Sequence, residues 1–274
     1  MSVTGDLRKM QTELGESVMY RLPVGEERIA MNDLLGKTIT LEHNGEIHCI
    51  ACGRKTKKSF NQGYCYPCMR SLAECDTCIV KPELCHFHEG TCRDEQWAQS
   101  HCMQDHIVYL ANSSGIKVGI TRQSQIPTRW MDQGATQALP IYRAKNRYMS
   151  GLMEMVLKNH VADKTDWRKM LKGSADAVDL VQRRDALLAE CAAEIELLKT
   201  THGEDAFRAI TDGTAINIQY PVIEYPTKVT SLNFDKNPVV SGQLLGIKGQ
   251  YLIFDTGVIN IRKYAGYGVN INSA

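Results

Sequence analysis

The spacing of apolar and polar residues changes along this chain, and each change marks an element. Around Val18 to Pro23 and Lys37 to Cys49 the residues follow a strand pattern, and residues 1–48 read as β-structure. Asn44-Gly45, between ITLEH and EIHC, predicts a hairpin turn inside the second run. Ile107, Val108, Tyr109 and Leu110 form a β-branched and aromatic strand, Asn112-Ser113-Ser114-Gly115 a turn, and Ile116 to Thr121 a return strand. Pro127 stands where a helix starts, with Arg129 in its first turn, and Ala138 to Arg143 is a third strand. Met149, Leu152, Met153, Val156 and Leu157 have helical spacing. Ser174 is a candidate cap for a longer helix with Val178, Val181, Leu188, Cys191, Ile195 and Leu198 on its apolar stripe, ended by Gly203. From 214 onward the strand pattern returns, with a hairpin turning near Asp255-Thr256-Gly257. The stretch LLGIKGQYLIFDTGVINIRKY echoes LLGKTITLEHNGEIHC near the other end, so the two ends are expected to build related hairpins in one β-module.

These periods predict an α+β protein in five parts: an N-terminal β segment (1–48), a cysteine-rich module (49–106), a small α/β core (107–172), a helical segment (173–213) and a C-terminal β segment (214–274). The net charge of +1 gives the whole molecule no strong electrostatic preference, so a nucleic-acid surface has to be a local patch. The first residues lack the apolar core of a signal peptide, and no apolar run approaches the ~18 residues of a membrane span. A cytoplasmic protein without a membrane partner is the expectation.

That compartment changes the reading of the ten cysteines from disulfides to metal ligands. Cys49-x2-Cys52 and Cys65-x2-Cys68 are two knuckles, each offering a pair of thiolates from one tight turn. Two such pairs fill a zinc tetrahedron and leave no open position, so this zinc is structural. A third knuckle, Cys75-x2-Cys78, joins Cys92 and Cys102 as a second candidate zinc site, with Cys85, His88, His101 and His106 as alternates. His86 and His88 would share one face of a strand.

The first knuckle is basic. Arg54, Lys55, Lys57 and Lys58 lie beside Phe60, Tyr64 and Tyr66 with no acid between Cys49 and Arg70. Cations neutralise phosphate and aromatic faces stack on bases, so these residues are candidates for DNA or RNA contact. From Lys117 to Arg147, Arg122 and five further cations face a single acid, Asp132. Glu154 sits among the apolar positions of its helix, either on an exposed edge or as a functional group.

Residues 106–172 resemble the GIY-YIG nuclease superfamily. Ile107-Val108-Tyr109 lies at the first name motif and Lys117-Val118-Gly119 at the second, with Arg129 at the arginine position and Glu154 at the glutamate position. Ile107 replaces the first glycine and Lys117 the second-motif tyrosine. The resemblance implies a metal-dependent nuclease or phosphodiesterase. In it Arg129 grips a phosphate, Glu154 holds a divalent ion such as Mg2+, Tyr109 orients or deprotonates water, and Lys117 stands in for the lost tyrosine. PELCHFHEGTCR, YLANSSGIKVGITR, RWMDQGA and GIKGQYLIFDTGVINIR also resemble a family of bacterial proteins of unknown function. The alternative function is a non-catalytic zinc protein that binds nucleic acid on the same cationic face. Glu154 separates the two: a carboxylate facing the cleft beside Arg129 and Tyr109 favours catalysis, one facing bulk solvent favours binding.

Overall fold

A computed structural model describes residues 1–162, 164–173 and 175–273. It is a mixed α/β structure with several sheets and helices and a cysteine cluster. No helix among the described residues is long and apolar enough to cross a membrane.

The central sheet is built on the hairpin His106–Asn112 and Ile116–Arg122, with Gln137–Ala144 on the other side of the first strand. Phe207–Ala209 and Ile216–Asn217 add to its far edge, and every pairing is antiparallel. His106–Asn112 is buried along its whole length, and its alternate residues serve two cores. Ile107, Tyr109 and Ala111 pack with Trp130 and Met131 against the terminal strands. Val108 and Leu110 pack with Met153, Leu157, Leu180 and Leu187 on the helical side.

The helix Arg147–Leu157 is capped by the Asn146 side chain, which accepts from the Met149 N–H at 2.9 Å. The expected long helix is two, Leu180–Glu190 and Ala192–His202, broken at buried Cys191. Ser174 lies outside the described residues; Asp179 caps the first of these helices. Their buried stripe runs through Leu180, Leu187, Cys191 and Ile195, whereas Val181 is exposed. Gly203 ends the second helix with a positive φ, as expected.

The two chain ends do share one module, but its halves correspond differently from the LLG echo. Each half has a leading strand, a tight hairpin, a 3-10 turn and a closing strand. The first uses Ser2–Asp6, Met19–Val24 with Glu27–Ala30, Met31–Leu34 and Thr38–Ile47. The second uses Val239–Lys248, Tyr251–Phe254 with Gly257–Asn260, Ile261–Tyr264 and Tyr267–Ser273. The closing strands pair with each other, and each leading strand pairs with the closing strand of the other half. The bonds repeat with the halves exchanged. Gly36 N donates to Leu244 O and Leu244 N to Lys37 O; Gly266 N donates to Leu7 O and Leu7 N to Tyr267 O.

Asn44-Gly45 does not turn a hairpin. Thr38–Ile47 runs on through it, and the register against the last strand shifts between Tyr267 and Val269. Gly45 has φ 86°, and the Asn44 carboxamide accepts from Glu46 N at 3.0 Å, so the pair forms a bulge.

Candidate functional site

Cys49, Cys52, Cys65 and Cys68 bring their sulfur atoms within 4.8 Å of one another. Cys52 and Cys65 stand 3.8 Å apart, and a zinc ion with Zn–S bonds of about 2.3 Å implies tetrahedron edges of about 3.8 Å. The four could hold a metal ion, and their geometry and donor set fit zinc. Burial works to raise the Cys49 thiol, but backbone N–H donors of Cys52, Cys65 and Ala51 outweigh it and bring it to about 6. The knuckles carry the loop between Phe60 and Tyr64, where Asn61 and Gln62 take left-handed backbone angles.

The second predicted ligand set is rearranged. Cys78, Cys92 and Cys102 line one small cavity, and Cys85 joins them in place of Cys75. Cys75 is buried towards the first knuckle, within reach of the Asn61 side chain and the Cys49 sulfur. His101 stacks on Trp97 at 4.1 Å, exposed His88 packs beside Tyr148 at 5.5 Å, and His106 faces the Gln104 carbonyl; none of the three lines the cavity. His86 and His88 flank a 3-10 turn, Phe87–Glu89, in place of the expected strand.

Between the knuckle loop, the central hairpin and the helix Arg147–Leu157 lies a cleft of about 650 Å³. Lys117, Arg122, Arg129 and Glu154 all line it, as do Asn61, Gln62, Arg147 and Arg262. Among the acids on its walls, Asp132 is bonded to Lys9 and Gln250, and Asp76 pairs with Arg93 at 2.6 Å. Arg122 and Arg262 have no ion-pair partner among the described residues. Burial lowers the pKa of Arg147 and of Arg262, and the charge of Arg129 lowers both further. Arg129 thus lies within electrostatic reach of two further guanidinium groups that line the same cleft.

Tyr109 is fully buried. Its hydroxyl donates to Gln133 Oε1 at 3.0 Å, and its ring covers Gly119, where a Cβ would come within 2.8 Å of the hydroxyl oxygen. Burial raises its pKa, partly offset by the charge of Arg129 and its hydrogen bond; Glu154 raises it again. Tyr109 does not line the cleft, and its buried hydroxyl is engaged with Gln133, so the expected contact with an attacking water is not seen here.

Of the basic knuckle residues, Arg54, Lys55, Lys57 and Lys58 are exposed outside the cleft. Lys55 pairs with Glu46 at 2.6 Å, and Lys58 lies 5.3 Å over the Phe60 ring.

A family model described as protein of unknown function (DUF2797) matches residues 36–269. The chain belongs to that family. No curated protein and no solved structure matches it. The DUF2797 match takes in both knuckles, the cleft residues from Asn61 to Arg262 and the second half of the β-module up to residue 269, and starts after the hairpin Met19–Ala30 of the first half.

Sequence reasoning missed Arg262 and Gln62 as cleft residues of this DUF2797 chain, since neither carries a local signal. Asn61 had a weak one, asparagine being tolerant of left-handed angles. Arg147 was visible only as one more cation.

Beside the cleft, burial and the charges of Arg147 and Arg122 bring His106 from 6.5 to about 4. The unfolded chain binds this proton first, so stability falls as pH drops from 6.5 towards 4. The loss expected from His106 is on the order of 2–3 kcal/mol. His106→Gln should flatten that part of the stability profile in urea melts at pH 4.5 and 7; an unchanged profile would assign the acid limb to other groups.

Proposed function

We propose that the protein is a metal-dependent nuclease or phosphodiesterase acting on DNA or RNA. The observation that carries this reading is the company Glu154 keeps: it lines the same cleft as Arg122, Arg129, Arg147 and Arg262 and lies within electrostatic reach of Tyr109. Mutually repelling guanidinium groups are relieved by a polyanion, and their planar forks suit phosphate oxygens. The order of hairpin, arginine helix, third strand and glutamate helix supports the GIY-YIG resemblance.

In this reading Arg129 grips the phosphate and is itself held by Tyr109. Lys117 supplies positive charge near the reacting oxygen. Glu154 is the carboxylate ligand of a divalent cation, and a site with one such ligand fits Mg2+, which keeps most of its waters. Such an ion, when bound, polarises the phosphodiester. Structural zinc at Cys49, Cys52, Cys65 and Cys68, with a second zinc in the following segment, holds the cleft wall in place.

The test is a cleavage screen over single- and double-stranded DNA and RNA with Mg2+, Mn2+ and Ca2+. Metal-dependent cleavage by the wild type is the expected result. Binding without cleavage under every divalent ion would replace the enzyme by the non-catalytic zinc-dependent binder.

The exposed knuckle gives a further expected outcome. Neutralising Arg54, Lys57 and Lys58 together should flatten the log–log salt dependence of nucleic-acid affinity by about 0.7–0.9 for each phosphate that these side chains neutralise. Lys55 should contribute less, because Glu46 already neutralises it. A slope unchanged by the triple substitution would confine binding to the cleft.

A further inference from the structure

Among the described residues, the three apolar clusters take in none from 49 to 105. That module is built from short 3-10 turns and two short helices, Tyr66–Ser71 and Glu95–His101. A segment without an apolar core needs cross-links to hold one conformation. The first four cysteines can cross-link residues 49–68, which leaves 73–102 to be accounted for.

There, four thiols from three elements face one cavity; no three of their sulfur atoms lie within 4.8 Å of one another, so gathering on an ion would take side-chain rotation. Cys78 lies in the turn Thr77–Ile79, Cys85 follows the turn Pro82–Leu84, Cys92 precedes the helix Glu95–His101, and Cys102 ends it. All four line one cavity of about 10 Å³, room for no more than one water-sized particle. Cys78, Cys85 and Cys102 are buried and Cys92 half-buried. The polar neighbours are engaged elsewhere. Asp76 pairs with Arg93 and accepts from Cys78 N at 3.2 Å, and His86 Nδ1 is 2.7 Å from Thr91 Oγ1. Among the described residues of this segment, Asp76, Cys78 and His86 are the group whose ligand atoms lie within 4.8 Å of one another, but to hold an ion there Asp76 would have to give up Arg93.

We propose that Cys78, Cys85, Cys92 and Cys102 form a tetrathiolate zinc site that clamps the helix carrying Glu154. Four thiolates around Zn2+ leave a net charge of about −2, and the cation that meets it is Arg147. Its guanidinium donates to the carbonyls of Cys78 and Ile79, while its backbone N–H donates to Cys102 O at 2.9 Å. One turn on, Gly151 packs so closely on Pro82 that a Cβ there would come within 2.7 Å of the ring. The ligand turns thus hold the first two turns of the helix from both sides. This site stands or falls independently of cleavage, because its readout is the ion itself.

The experiment is zinc content of the full-length wild type, Cys85→Ser, Cys75→Ser and Asp76→Asn. About two zinc equivalents are expected in the wild type, Cys75→Ser and Asp76→Asn, and about one in Cys85→Ser. One equivalent in the wild type, or loss from Cys75→Ser or Asp76→Asn with Cys85→Ser intact, would overturn the assignment. Should Cys85→Ser fail to fold, the wild type exchanged with 113Cd decides: two resonances in the tetrathiolate range support the site, and a single one, or a second shifted by nitrogen or oxygen ligands, removes it. Amide exchange across residues 147–157 should accelerate when the second ion is lost. Exchange unchanged by that loss would delete the clamp.

Discussion

Cys65→Ser should unfold the first knuckle and release about one zinc equivalent, leaving the central sheet folded. The expectation follows from two features. Among the described residues the knuckle has no part in the apolar clusters, so an ion held by its four sulfurs would be its main source of order. A structural zinc of this kind contributes roughly 10–16 kcal/mol of apparent binding free energy, comparable to the whole stability of an ordinary domain. A serine hydroxyl is a far poorer ligand than a thiolate, and Cys65 is buried, so water cannot easily take its place. Zinc analysis and limited proteolysis between residues 50 and 68 would measure it. The damage should also reach the cleft, because Asn61 and Gln62 form part of its wall. Full zinc content and native protease resistance in Cys65→Ser would falsify the metal reading of this cluster.

Glu154→Ala should abolish cleavage while sparing binding. Removing the carboxylate takes away the cation's protein ligand but leaves the arginines of the cleft in place, so affinity for nucleic acid should hold or rise. The rate should fall by orders of magnitude, on the order of 10²–10⁴, as expected when an interaction made mainly in the transition state is lost. Arg129→Ala should behave differently. Its guanidinium meets the phosphate before and during reaction, so both affinity and rate should fall. Single-turnover kinetics with binding curves on the same oligonucleotide separate the two. Cleavage that survives in Glu154→Ala would move the chemistry away from this cleft.

What the sequence made legible was local. The hairpin from His106 to Arg122 could be read because both strands are β-branched runs joined by residues that favour a turn. The first four cysteines could be read because a knuckle is a short-range motif. Asn44-Gly45 was misread because a bulge and a hairpin turn ask for the same positive φ. Cys75 shows the same limit: the CxxC spacing fits a knuckle, but the fold turns Cys75 towards Asn61, and Cys85 lines the cavity with Cys78, Cys92 and Cys102. The burial of Tyr109 and the arrival of Arg262 from the last 3-10 turn depend on packing between distant segments. No local pattern announces either.

The exchanged strands of the β-module set the order in which the protein can be completed on the ribosome. Thr38–Ile47 finds its two neighbours only in Val239–Lys248 and Tyr267–Ser273. At ~5–20 residues per second, synthesis from Ile47 to Val239 takes about 10–40 s, during which the first half of the module has no partner edge. The cysteine knuckles and the central hairpin emerge in that interval and can fold around their own ions and strands. The newborn chain thus carries an open strand edge until Tyr267–Ser273 has left the exit tunnel, when this strand can pair with Thr38–Ile47 and Ser273 N can reach Met1 O.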